Sequence, residues 1–310
     1  MIRYSVQRIA IGLATILILI TIVFFLMKVL PGGPFDTDKI TDPRIMEIIE
    51  ETYNLDKPVY QQYLFYLKDI IKGDFGSSFK KAGVEVSSLI VNLAPITIRL
   101  GLVALVVSLT FGLTLGIVAG LTKHKWLKGA IVALATMGIS IPGFLLGIFM
   151  IYTLAVSLRI LPVFGLTTWK HYVMPSLALS FYPIAYISRL TRSVLTEVMK
   201  MDFITMAKAK GLSRPVIIVR HAMKNVLIPI VTYLGPMIAY LMTGSFVIEN
   251  LFAIPGIGRE LVTAVQGRDY PVILGLTIFL GALIITMNLV VDLMLGLIDP
   301  RIMLGKRSSL

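Results

Sequence analysis

The chain has 310 residues, of which 56% are hydrophobic and only 15% charged, and its mean hydropathy is +0.87. Soluble domains average about 45–50% apolar and about 25% charged residues, so a water-soluble globular protein is excluded. The formal net charge is +12 and cysteine is absent, which removes disulfides, thiolate metal sites, cysteine nucleophiles and a lipoprotein cysteine. The basic surplus falls in short clusters between long apolar runs, the pattern of membrane topology and not of nucleic-acid binding.

Crossing a hydrocarbon core of about 30 Å takes roughly 20 helical residues. Six segments meet that length: Ile9–Leu30, Ile96–Leu121, Leu127–Leu158, Tyr172–Ile187, Val226–Ile248 and Val272–Ile298. The composition predicts an all-α polytopic membrane protein with six transmembrane helices. The first run follows "MIRYSVQR" and leads into Lys28, Leu30 and "PGGP". It is too long for a signal-peptide core and lacks a small-x-small cleavage site, so residues 1–30 read as an uncleaved first span.

Residues 31–95 follow as a small helical cap. "DPRIMEIIEETYNL" sets Ile45, Ile48, Ile49 and Tyr53 on one helical face, and "YQQYLFYLKDIIKG" does the same with Tyr60, Tyr63, Leu64, Leu67, Ile70 and Ile71 before Gly73 as a C-terminal stop. Residues 96–310 hold the remaining five spans as a core domain. The third is too long for one straight helix and carries "SIPGF" (Ser140–Phe144), which predicts a kink or break at Pro142. The short fourth continues past Ser188, with Arg189 reaching toward the interface.

Between the fourth and fifth spans stands a connection, residues 194–225, that contains "DFITMAKAKGL" and "RHAMKN". Asp202 is a good N-cap, a helix runs from Phe203 to Lys210, and Gly211 supplies a left-handed stop. Ser213 and Pro215 begin a new helix through Val216, Val219 and Met223. Eight residues make about two turns, which do not hold alone in water, so the short helix must dock on something. Ala207 and Ala209 permit close approach. An amphipathic helix lying on anionic lipid headgroups fits the same pattern.

Lys and Arg predominate around Arg3 and Arg8, Lys123 to Lys128, Arg189 to Lys224, and Arg301 to Arg307, whereas acids outnumber cations in residues 31–95. The excess marks the cytoplasmic side, which predicts both termini inside and the cap outside. His124, His171 and His221 fall on different loops and share no metal. Lys28, Arg99 and Glu249 sit near span ends, where side chains extend to the interface. Asp292, the deepest acid, is expected to pack against a cation of a neighbouring helix.

In this order and at these spacings, "LPGGPF", "LDKPVYQQYLFYLKDIIKGDFGSSF", "NLAPITIRL", "SIPGF", "ILPVFG", "MPSLALS", "DFITMAKAKGL…RHAMKNVLIP", "FAIPGIGRELVTAVQGRDYPVILG" and "VDLMLGLIDPR" resemble the integral-membrane permease subunits of ATP-binding-cassette importers, in the dipeptide/oligopeptide (nickel) branch. The resemblance implies that residues 202–212 dock on an ATPase subunit, with Asp202, Phe203, Ile204, Ala207, Lys208, Ala209, Lys210, Gly211, Leu212, Arg220 and His221 as the coupling residues. It implies an outer-mouth loop at Pro255, Gly256, Gly258, Arg268 and Asp269. The implied partners are a homologous second permease, two ATPase subunits, an extracytoplasmic binding protein and membrane lipid, in the cell membrane.

The chain departs from the wider family in one respect: counting back from Gly211, Thr205 stands where many importer permeases have glutamate. It also has no G-x-x-x-x-G-K-[ST] phosphate loop, so ATP and magnesium fall to the partner subunits and this chain is expected to bind no cofactor and catalyse nothing. Peptide is the implied cargo, with nickel complexes and oligosaccharides as the alternatives in related branches. An ion-coupled secondary transporter would instead show uptake that survives ATP depletion and collapses with an ionophore. A scaffold without substrate would show no uptake defect on deletion.

Overall fold

The computed structural model describes residues 2–29, 56–81 and 83–298. The expected cap helix over residues 42–55 and the terminal residues 299–310 lie outside them. The described residues are helices joined by loops, with one isolated bridge between Ser77 and Glu85. Helix α1 is Ile2–Val29, α2 is Val59–Ile71, α3 is Val86–Leu121 and α4 is Lys125–Ser140. Helix α5, Gly143–Met150, runs on into a π-helical turn, Ile151–Ser157. Next come α6 (Lys170–Val198) and the short α7 (Asp202–Ala209). Helix α8 (Arg214–Val216) continues through a second π-helical turn, Ile217–Ala222, into α9 (Met223–Met242). The chain closes with α10 (Phe246–Leu251), α11 (Ile257–Gly267) and α12 (Tyr270–Ile298).

Four stretches among the described residues are long and apolar enough to cross a membrane: Ser5–Val29, Val86–Leu121, Arg214–Leu251 and Tyr270–Leu293. A fifth arises if α4 and α5, which meet at 106°, form one broken span. The break falls at Pro142, as the sequence predicts. Ile141 and Pro142 are both extended, with ψ of 124° and 133°, because a residue before proline is driven out of the helical region.

The expected fourth span corrects the simple reading. It exists as α6, but it is not apolar enough to count as a span by composition. Helix α6 lies at the centre of the bundle, against α3, α4, α5 and α9, so protein surrounds most of it. Lipid contact is what demands apolar side chains, and α6 has little. The second span also starts at Val86 instead of Ile96, so the last residues of the expected cap are the first turns of α3, with Pro95 inside the helix. Such prolines are tolerated in membrane helices where neighbours compensate.

The α3–α6 contact is the tightest seam. A Cβ on Gly112 would stand 2.8 Å from the Cβ of Ile187, and one on Gly116 would stand 2.5 Å from the Cβ of Thr191 and 2.7 Å from the Ser188 carbonyl oxygen. In lipid no hydrophobic force pulls helices together, and small residues that let backbones meet supply dispersion contact instead. Helix α1 leans on α12, and Arg8 Nη1 reaches Asp292 Oδ2 at 2.9 Å, the cation partner expected for that acid. The rest of α1 presents Leu13, Leu17, Ile18, Ile22 and Leu26 outward, an apolar surface suited to lipid.

Gly116→Leu is expected to lower the apparent melting temperature of the detergent-solubilised protein, since overpacking a tight seam costs about 1–3 kcal/mol. Gly129→Ala, where an added Cβ meets nothing within 4 Å, is the control and should leave melting unchanged or raise it slightly. Equal melting of the two variants would show that the seam is not tight.

Candidate functional site

Helix α7 is held at both ends by backbone geometry. Met201 is extended (φ −71°, ψ 152°) and occupies the N-cap, so Asp202, expected there, is the first helical residue and accepts no capping bond. Its carboxylate favours the helix through the dipole of the first turn instead. At the other end Gly211 takes φ +73°, donates to the Lys208 carbonyl at 3.0 Å, and lets Leu212 donate to the Ala207 carbonyl at 3.3 Å. This is the paired C-terminal turn that glycine makes easy, and it places the stop where the sequence predicts.

Ile204 and Ala207 are buried against Leu195 and Val198 at the end of α6 and against Ile217, Ala222, Val226 and Ile230. Ala207 therefore serves the approach of α7 to its own bundle, not to an outside partner. The outward face carries Phe203, Met206 and Leu212, with Met206 60% exposed, beside exposed Asp202, Thr205, Lys208, Ala209, Lys210 and Gly211. The new helix after Ser213 runs through Val216 and Val219 as expected, and leaves both exposed. The π-helical turn inserts extra length, so the buried stripe runs Ile217, Ala222, Val226 and Ile230. Arg220 stays exposed and His221 half-buried beside it. Arg214 donates from its guanidinium to the Leu121 carbonyl at 3.1 Å, closing the C-terminus of α3 and tying the α7 connection to the bundle.

At the opposite end of α9, a span of about 30 Å for a helix of this length, lies a feature that span-end reasoning missed. Glu249 does not extend to an interface. It is fully buried. Its carboxylate accepts from Thr97 Oγ1 at 2.8 Å and from the Arg259 backbone N–H at 3.0 Å, and the Gly258 N–H also points to it. Thr97 Oγ1 in turn accepts from the Ile257 N–H at 3.0 Å. The free N–H groups of the first turn of α11 are thus satisfied by an acid from α10. A Cβ on Gly256 or Gly258 would fall 2.5 or 2.9 Å from Glu249 Oε2, so the glycines of "PGIGRE" form a cradle for the carboxylate. Pro255 alone of the expected outer-mouth residues in that turn is exposed.

Arg268 adopts φ +55° at the C-cap of α11. The adjacent Asp269 is buried, accepting from Ser78 Oγ and from the Phe79 and Lys80 N–H groups at 3.0 and 3.4 Å. Lys81 pairs with Glu260 close by. These bonds pin the cap loop to the junction of α11 and α12. Within the cap, a cavity of about 390 Å³ is bounded by Lys28, Gln62, Tyr66 and Asp74. Burial pushes the Tyr66 phenol well above its ordinary range, and its hydroxyl has no partner among the described residues. Among the described residues no group of three or more acids and histidines could hold a metal ion.

The chain is thus a helical multi-pass membrane protein with a short helix packed onto one end of its bundle and a cap loop tied to the other. The chain is a member of the family described as "Binding-protein-dependent transport system inner membrane component", which matches residues 112–304, and the companion N-terminal family of the same systems matches residues 1–101. It is 45% identical over 307 residues to the dipeptide transport system permease protein DppB of Bacillus subtilis, covering 99% of this chain and 100% of that one. It is 38% identical over 304 residues to the oligopeptide transport system permease protein OppB of Haemophilus influenzae, covering 97% and 99%. A solved structure of the MetNI methionine ABC transporter in inward-facing conformations shares the fold, with a TM-score of 0.58 at 18% identity, over 68% of this chain and 96% of that chain.

Glu249→Leu is expected to destabilise strongly, because each buried donor left unpaired costs about 1–3 kcal/mol. Glu249→Gln keeps the shape and an acceptor oxygen and should lose less. Thermal melting of the purified variants checks the order Glu249, Gln, Leu; a Leu variant as stable as the parent would remove the clasp.

Proposed function

We propose that this chain is the permease subunit of an ATP-driven importer of peptides, paired with a homologous second permease to form the pathway. Two ATPase subunits sit on the α7 side, and an extracytoplasmic binding protein delivers cargo to the cap side. Six spans place both termini in the cytoplasm and the cap outside the cell membrane: α1, α3, the broken pair α4–α5, α6, α9 with α8, and α12. The basic residues clustered around α7 and the acid-rich 31–95 segment support that orientation. Peptide as cargo rests on the names of the relatives above. ATP and magnesium are bound by the ATPase subunits and not by this chain.

One observation carries the reading: α7 buries Ile204 and Ala207 in its own bundle and leaves Phe203, Met206 and Leu212 exposed among cations. A surface that is fixed from behind and apolar in front suits a groove on a partner protein. When ATP draws the ATPase pair together, a helix so seated moves α6 and α9 with it. Apolar side chains in a fitted groove are the usual energetic anchors of an interface. Gly211 and Ala207 matter to this by holding the helix in place, while Lys208 and Lys210 face the partner.

Gentle solubilisation of tagged protein from native membranes should bring down ATPase subunits with phosphate loops and a second permease; recovery of this chain alone would sink the proposal. Phe203→Ala combined with Met206→Ala should leave melting unchanged and cut ATP-dependent dipeptide uptake about tenfold, the equivalent of roughly 1.4 kcal/mol of lost docking. Ala207→Trp should instead lower both, since it displaces α7 from its own core. Uptake that persists after ATP depletion and collapses with an ionophore would favour a secondary transporter.

A further inference from the structure

Apart from Lys170 at its first position, the exposed residues of α6 form a single stripe: Tyr182, Tyr186, Arg189, Ser193 and Glu197. All of them are polar or amphipathic, although α6 is the most enclosed helix of the bundle. On α9 Asn225, Ile228, Thr232, Pro236 and Tyr240 form one exposed row, with Lys224 and Leu227 exposed beside its α7 end. The two stripes face the same side. Tyr186 stacks on Tyr233 of α9 with ring centroids 4.1 Å apart, and Tyr182 lies 6.3 Å from Tyr186. Tyr182 and Tyr240 both border a recess of about 460 Å³ that also includes Ser140, Pro142, Gly143 and Ser245. The hydroxyls of these four tyrosines make no hydrogen bond to the described residues.

Helix α1 provides the comparison, because its exposed face is Leu13, Leu17, Ile18 and Ile22. A row of unpaired phenols has no place against hydrocarbon, where a polar group without a partner costs several kcal/mol. The break at Pro142 leads to the same conclusion independently. Non-helical backbone at membrane depth is tolerated only inside protein or beside a water-filled cavity, and this break opens onto the recess with the tyrosines. From Leu195 at the α7 end of α6, Tyr186 and Tyr182 lie about 14 and 20 Å along the axis at 1.5 Å per residue. They therefore stand well inside the span.

We propose that this face, centred on Tyr182, Tyr186, Tyr233 and Tyr240, lines the aqueous passage and touches the peptide in transit. The inference rests on the permease reading above. This section of the wall carries no charge; the first charged side chain along the α6 stripe is Arg189, nearer the α7 end. Phenol hydroxyls donate and accept hydrogen bonds with any peptide backbone, and their rings accept apolar side chains. An uncharged wall of this kind does not sort peptides by the charge of their side chains.

The natural absence of cysteine allows a direct test in membranes containing the whole transporter. Tyr182→Cys and Tyr240→Cys should react with a water-soluble, membrane-impermeant methanethiosulfonate reagent applied to both membrane sides, and Leu13→Cys and Ile18→Cys should not. Saturating dialanine should slow the reaction at position 240 several-fold. Failure of both tyrosine positions to react in every nucleotide state, with ATP-driven dialanine uptake by the parent intact, would mean that the second permease or lipid covers this face; the proposal would fall and the permease reading would stand. Loss of that uptake in the parent would count against the permease reading separately. Tyr182→Asp should depress uptake of diaspartate about tenfold relative to lysyl-lysine, a discrimination of roughly 1.4 kcal/mol. An equal loss for both peptides would overturn the substrate contact.

Discussion

The central position of α6 is the constraint on which the rest of this fold depends. A helix surrounded by α3, α4, α5 and α9 is relieved of the requirement to be apolar toward lipid. It can therefore carry prolines at 175 and 183, two arginines and four serines. The enclosure is made by backbone proximity: Gly112 and Gly116 of α3 and Gly138 of α4 let neighbouring helices approach Ile187, Thr191 and Ala185 closely. Where the enclosure opens, on the stripe beginning at Tyr182, the residues are polar. Where α6 ends, Leu195 and Val198 supply the floor on which α7 lies. One helix thus links the short surface helix to the middle of the bundle.

The two ends of the bundle solve the same problem by different chemistry. At the α7 end, apolar burial of Ile204 and Ala207 and a glycine-assisted turn hold a helix too short to be stable alone. At the other end, carboxylates do the holding. Glu249 closes the N-terminus of α11, and Asp269 gathers Ser78 and the N–H groups of the following residues. Both acids are buried among backbone donors, and among the described residues neither is paired with a basic side chain. Acceptance from several N–H groups offsets the desolvation of a buried acid. The arrangement makes the link between cap and bundle directional, since hydrogen bonds fix orientation where apolar contact alone would permit sliding.

Much of this was legible in the chain. The long apolar runs, the break at Pro142, the stop at Gly211 and the pairing of Asp292 with a cation all follow from local rules about helix length, proline, glycine and buried charge. What local rules missed depends on neighbours. Residues 172–187 were read as a span like the others, although the prolines, serines and arginines of α6 already set it apart from a lipid-facing helix. Glu249 was placed at an interface because its partners, Thr97 and the turn at Gly258 and Arg259, are distant in sequence or hidden in backbone. The helix after Ser213 was read as regular, and nothing in its residue types announces the π-helical turn Ile217–Ala222.

The placement of irregular backbone completes the argument. A regular helix resists bending because each residue is tied by its hydrogen bond to the turn before, so relative movement costs least where that ladder is already interrupted. The interruptions here are the extended pair Ile141–Pro142, the break after Met242 with Gly244 at φ +70°, and the π-helical turns Ile151–Ser157 and Ile217–Ala222. Two of them, at Pro142 and at Ser245, border the recess with Tyr182 and Tyr240. The turn at Ile217–Ala222 lies directly under α7. Helices α6 and α9 keep helical geometry, although Pro175 and Pro183 in α6 and Pro229 and Pro236 in α9 each remove a donor from the ladder. The irregular backbone thus falls under α7 and beside the tyrosine face.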